Sequence, residues 1–100
     1  MTITFRNKQL EGWAKGSYSG KQPLTELVLK AYRKTIGKLQ AAPSTVELGQ
    51  SKSLDFHPLK RDLVGKFAVR VNMQYRIVFS IQTDTNEIEI IEVEQLTDYH

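Results

Sequence analysis

An α+β domain, two amino-terminal helices packed on a small antiparallel β-sheet, is the fold this sequence predicts, and three observations predict it. Apolar residues recur at three- and four-residue steps through the first half of the chain, the period of a helix with one buried stripe. From residue 66 the pattern changes to short runs rich in β-branched and aromatic residues, separated by turn signals. The change happens once, so helices and strands segregate, with the helices on one face of a single sheet. One hundred residues form one domain, 1–100, around a single core.

The elements follow in order. TITF, residues 2–5, has the composition of a short first strand. Residues 7–16 read as a short helix with Leu10, Trp13 and Ala14 on one side, and Trp13 is expected in the core. GSYSGKQP then breaks it with two glycines and a proline in eight residues. Pro23 suits the first position of a second helix, where its missing N–H costs nothing. Leu24, Leu27, Val28, Ala31, Tyr32, Thr35, Ile36 and Leu39 would form its apolar stripe, with Lys30, Arg33, Lys34 and Lys38 on the remaining surface. Pro43 ends that helix, and STVE at 44–47 has the spacing of a capping box that starts one more turn. KFAVRVN (66–72), QYRIVFSIQ (74–82) and EIEIIEV (87–93) are expected as antiparallel hairpin neighbours, since the connections are too short for a crossover.

Composition excludes several function classes. The chain has no cysteine, so it holds neither a disulfide framework nor a thiolate metal site. The opening MTITFRNKQL is charged too early for a signal peptide, and no run approaches a membrane span. A soluble, cytoplasmic protein is expected, without a membrane partner. The net charge of +3 is unevenly placed. Residues 1–76 hold all fourteen Lys and Arg against five acids, whereas residues 77–100 hold six acids and no Lys or Arg. A basic body with an acidic end fits a polyanion-binding face, although ordinary solvated charge gives the same count.

Candidate chemistry concentrates in LDFHPLKRDLVGKFAVRVNMQYRIVF, residues 54–79, which carries His57, Lys60, Arg61, Lys66, Arg70 and Arg76. His57 precedes a proline, which favours extended backbone there and reads first as a loop residue. A two-residue turn at Asn72–Met73 would put Arg70 and Arg76 on opposite faces; a three-residue turn ending at Gln74 would pair them. Methionine suits a positive φ poorly, which favours the three-residue turn. Two arginines on one face repel unless an anion lies between them or acids such as Glu89 neutralise them. The chain closes on TDYH, and seven residues beyond Val93 reach about 20 Å if extended. Asp98, Tyr99 and His100 would then return to the cationic face.

HPLKRDLVGKFAVRVNMQYRIVF, followed by an acidic strand and a terminal DYH, resembles the HigB-type toxins of the RelE/ParE toxin superfamily. FRNKQLEGWAKGSYSGKQP resembles that family's amino-terminal helix and loop, and KLQAAPS the end of its second helix. The resemblance implies a RelE-like fold and the toxin half of a type II toxin–antitoxin pair. It further implies a ribosome-dependent endoribonuclease that cuts messenger RNA in the ribosomal A site, with no metal or other cofactor. The implied partners are the ribosome, messenger RNA and a HigA-like helix-turn-helix antitoxin, through which alone operator DNA is reached. Carried over by motif, Lys60, Arg76, Asp98, Tyr99 and His100 are the implied catalytic residues, and Arg70, Arg61 and His57 the RNA-binding ones. In that scheme Arg76 stabilises charge on phosphorus, Tyr99 stacks on a base or bonds the ribose, and His100 or Lys60 moves the proton. Two departures stand out: Arg61 follows HPLK where the family has glycine, and EVEQLTDYH is longer than the usual run into DYH. The rival readings are a ParE-like toxin that binds DNA gyrase and cuts nothing, and a non-catalytic nucleic-acid-binding co-regulator.

Overall fold

Asn7 opens the first helix by turning its side chain onto the backbone: its Oδ1 accepts from the Leu10 N–H at 2.9 Å. Helix α1 then runs Lys8–Lys15 and stops at Gly16, whose φ of 70° is a left-handed conformation that glycine takes without strain. This is a computed structural model, and it describes residues 1–98. Strand β1 (Thr2–Phe5) precedes α1, and helices α2 (Glu26–Ala41) and α3 (Thr45–Gln50) follow. After a short 3₁₀ turn at Lys52–Leu54 come β2 (His57–Pro58), a second 3₁₀ turn (Arg61–Leu63), β3 (Phe67–Arg70), β4 (Tyr75–Thr83) and β5 (Glu89–Asp98).

Helix α2 starts later and faces differently than its pattern suggests. Thr25 is the cap, accepting from the Val28 N–H at 3.3 Å, so Pro23 and Leu24 lie in the preceding loop. The buried column is Leu29, Tyr32, Thr35, Ile36 and Leu39. Leu27 is 81% exposed, whereas Leu29, absent from the expected stripe, is fully buried. Three consecutive apolar residues at 27–29 give no unique phase, and the sheet beneath decides it. Tyr32 fixes α1 on α2, donating its hydroxyl to the Leu10 carbonyl at 2.9 Å and meeting Trp13 edge-on at 6.5 Å. Burial pushes that phenol well above its ordinary pKa.

The strands order as β1-β5-β4-β3-β2. Strands β3, β4 and β5 pair antiparallel with their neighbours, as expected; β2, at a position expected as loop, pairs antiparallel with β3, and β1 pairs parallel with β5. The parallel pair joins the two ends of the described chain, so the whole helical layer serves as its crossover. One sheet face supplies Val69, Ile77, Phe79, Ile91 and Val93 to the core against Leu29, Leu39, Leu48 and Trp13. Phe56, Phe67 and Phe79 stack along it with ring centroids 5.4 to 6.2 Å apart.

Strand β5 does not close near Val93; it continues to Asp98. Phe79 pairs with Val93 and Val78 with Gln95, which makes Glu94 an extra residue, a β-bulge. That residue returns Leu96, opposite Ile77, to the core face.

The helix phase is directly testable. Leu29→Ala is expected to cost about 2–5 kcal/mol in urea unfolding. Leu27→Ala should stay within about 0.5 kcal/mol of wild type. Equal losses would refute this placement.

Candidate functional site

The sheet face turned away from the helices carries the charge. Residues directly opposite on paired strands share a face, and successive residues alternate. Arg70 pairs with Arg76, and Arg76 with Thr97, so these three form one row across β3, β4 and β5. His57 pairs with Ala68 and Ala68 with Val78, forming the next row of the same face. The Arg70–Arg76 pairing is the three-residue-turn alternative, reached without a left-handed residue at Gln74. Instead the Asn72 side chain accepts from the Gln74 and Tyr75 N–H groups at 2.9 and 2.7 Å, which closes the turn.

Asp55 organises this end of the face. Its carboxylate lies 3.4 Å from Arg70, and its carbonyl accepts from His57 Nδ1 at 2.6 Å. A carbonyl only accepts, so Nδ1 carries a proton and Nε2 is the ring nitrogen left free of this contact. Like charges directly opposite on a sheet repel, and a phosphate between Arg70 and Arg76 relieves that repulsion. Glu89 does not neutralise the pair: its carboxylate accepts from the Thr45 N–H and hydroxyl at 2.9 and 2.6 Å, which lowers its pKa.

The remaining candidates spread out. Asp98 pairs with Tyr75 at the same end of the sheet as Arg76, but the pleat gives it the face of Tyr75, and Gln74 donates to it at 3.4 Å. Lys60 and Arg61 are exposed on the loop between β2 and β3, at the opposite end of β3 from Arg70 and roughly 13 Å away along the strand. Arg61 has φ 59°, a left-handed conformation, which is the physical reason a glycine suits that position. Tyr99 and His100 lie outside the described residues. Among the described residues no group of three His, Asp or Glu side chains converges as metal ligands do, and no helix is long and apolar enough to cross a membrane.

Two site residues were not singled out from the sequence. Asp55 gave no signal, since its role comes from a loop conformation. Glu94 gave a partial one, because an acid in an overlong strand is a bulge candidate. The Glu94 side chain is 3% exposed and meets Lys66 at 2.6 Å and Arg6 at 3.1 Å, joining the ends of β1 and β3. Burial pushes its carboxyl up, but hydrogen bonds from Lys66 and Ser80 and the charges of Arg6 and Lys66 outweigh this and leave it below the ordinary carboxylate value.

No family model and no curated protein matches this sequence. Solved structures do, and they show the fold: the chain has the α+β fold found in a YoeB/ParE toxin and in YoeB–YefM complexes. It is similar to a YoeB/ParE toxin from Agrobacterium tumefaciens, with TM-score 0.62 and 16% identity over 100% of both chains. It is also similar to a YoeB–YefM complex from Staphylococcus aureus, with TM-score 0.57 and 21% identity, covering 100% of this chain and 97% of that one. The YoeB dimer of the same organism gives TM-score 0.55 and 19% identity at the same coverage.

Two outcomes follow from this geometry. Glu94 has a depressed folded-state pKa, so its contribution is present above the ordinary carboxylate range and lost as pH falls through the folded value. Glu94→Gln should therefore lose about 1.5–3 kcal/mol at neutral pH and show a flatter acid limb in its stability–pH curve. Arg61→Gly should raise stability by about 0.5–1 kcal/mol, because relief of a left-handed side chain exceeds the added chain entropy; a lower melting temperature would contradict the assignment of φ.

Proposed function

We propose that this protein is the toxin of a type II toxin–antitoxin module, a HigB-type member of the RelE/ParE superfamily that cleaves messenger RNA on the ribosome without a metal. The observation that carries this reading is the Arg70–Arg76 pair beside His57 on the sheet face turned away from the helices. The fold likeness to YoeB toxins and the residue resemblance to HigB support it from two directions.

In the reaction, the ribose 2′-oxygen attacks the adjacent phosphorus, the P–O5′ bond breaks, and the products are a 2′,3′-cyclic phosphate and a 5′-hydroxyl. Arg70 and Arg76 hold the two non-bridging oxygens and stabilise charge as the pentacoordinate state forms. His57, whose Nδ1–H is held by the Asp55 carbonyl so that Nε2 is the ring nitrogen left for the substrate, accepts the 2′-OH proton. His100 is the donor to the departing 5′-oxygen and Tyr99 stacks on a base, while Asp98, on the face opposite Arg76, takes no part at the phosphate. Lys60 and Arg61, at the far end of β3, grip the RNA backbone rather than the scissile phosphate. The ribosome supplies substrate orientation, worth several kcal/mol of barrier.

The partner reading follows the YoeB–YefM complex: that toxin is held by an antitoxin. Here the antitoxin is a HigA-like helix-turn-helix protein, which links the toxin to operator DNA. A ParE-like gyrase binder is the second reading, favoured by the YoeB/ParE name of one similar structure.

Primer extension on a translated message after brief induction separates these readings. Wild type should give in-frame cuts. Arg76→Ala should lower cleavage about 10²–10³-fold. His57→Gln and His100→Gln should each lower it about 10²–10⁴-fold while ribosome binding persists. Intact message with DNA-damage signalling would establish the gyrase reading instead.

A further inference from the structure

Strand β1 is shorter than the strand it pairs with. Its last contact with β5 is the Arg6 N–H donating to the Val93 carbonyl at 2.9 Å, after which the chain turns into α1. Strand β5 continues to Asp98, so its outer edge borders α1 instead of a strand. Between them lies a cleft of 240 Å³. Leu10 and Trp13 form its floor, Gln9, Gln95 and Thr97 its rim, and Glu94 one wall.

We propose that this cleft receives the nucleobase flanking the scissile phosphate, an inference that rests on the RNA reading of the cationic face. The cleft is continuous with that face, because Thr97 on its rim pairs directly with Arg76. Thr97 and Arg76 are thus backbone neighbours across the β4–β5 pair, one interstrand spacing of about 4.8 Å apart. The lining suits a neutral planar group rather than a second phosphate. Its single charged residue, Glu94, is engaged by Lys66 and Arg6 and so presents little free charge. Gln9 and Gln95 are exposed, and each amide offers donors and an acceptor, the groups that read a base edge. Proteins that recognise single-stranded RNA combine such edge bonds with apolar or aromatic surface against the base. The division of labour is then spatial: guanidinium groups hold phosphate outside and amides select the base inside.

Trp13 is the only tryptophan in the chain, so its fluorescence reports occupancy of the cleft. The full-length protein is titrated with the four nucleoside 3′-monophosphates, with ribose 5-phosphate as the base-free control and competitor. Saturable changes in Trp13 emission, ranked by base and absent with ribose 5-phosphate, are expected. The double variant Gln9→Ala/Gln95→Ala, altered only at exposed positions, should weaken the nucleotides about threefold to tenfold each amide and leave the affinity for ribose 5-phosphate unchanged. Arg76→Ala should weaken every phosphate compound alike. Nucleotides that displace ribose 5-phosphate yet leave Trp13 emission and the double variant's affinity unaltered would overturn the cleft assignment while leaving the RNA reading intact; an extended peptide as the true occupant gives that result. Failure of every phosphate compound to bind, together with intact message in the primer-extension assay, would overturn the RNA reading itself.

Discussion

One extra residue in β5 sets the geometry of everything beyond it. With strict alternation from the Phe79–Val93 pair, Gln95 would face the core and Leu96 would face solvent. The bulge at Glu94 reverses that assignment, so Leu96 packs under Ile77 and Thr97 stands opposite Arg76. The register cost of an inserted residue is absorbed locally because Glu94 finds partners on both sides, Arg6 from the end of β1 and Lys66 from the start of β3. A charge this buried persists only when paired and hydrogen-bonded. Backbone irregularity and ion cluster therefore depend on each other, and both precede the site.

The same arrangement explains how a basic body and an acidic end coexist. The acidic segment is placed inside the sheet, between β1 and β4, rather than left to wander over the surface. There Glu94 engages two cations in the middle of the open face, and Glu89 is turned to the start of α3. The positive row at Arg70 and Arg76 lies beyond these contacts, nearer the β3–β4 turn. Segregation by strand position, rather than net charge, is what gives a domain of +3 a cationic face.

Much of this was legible in the sequence. The two periods identified helices and strands, and the glycines of GSYSGKQP and Pro43 marked where the first two helices stop. The sequence left two turns open and only leaned, on the methionine, towards the one that pairs Arg70 with Arg76; the device that forms that turn is the Asn72 side chain. What could not be read was phase and length where the pattern is degenerate. Leu27, Val28 and Leu29 offer three adjacent apolar residues, and only packing against the sheet picks Leu29. The end of β5 was hidden for a related reason: Glu94, Gln95 and Thr97 break the apolar alternation, and they belong to a strand because β4 supplies a partner for the bonds. Motif alone also grouped Lys60 with Arg76, whereas the antiparallel course of β2 and β3 carries Lys60 to the other end of the sheet.

Asp55 shows how the loop before β2 prepares the chemistry. Its φ of 47° is a left-handed conformation, uncommon for a side-chain-bearing residue and less costly for aspartate than for most. In that conformation one residue performs two tasks, directing its carbonyl to His57 Nδ1 and its carboxylate towards Arg70. An aspartate side chain can orient a histidine as well, and would also stabilise the imidazolium. A carbonyl orients the ring without adding a full negative charge, while the carboxylate is reserved for the guanidinium that needs it. The left-handed backbone at Asp55 thus lets one residue serve two partners at once, its carbonyl on the histidine of β2 and its carboxylate on the arginine of β3, just before β2 begins.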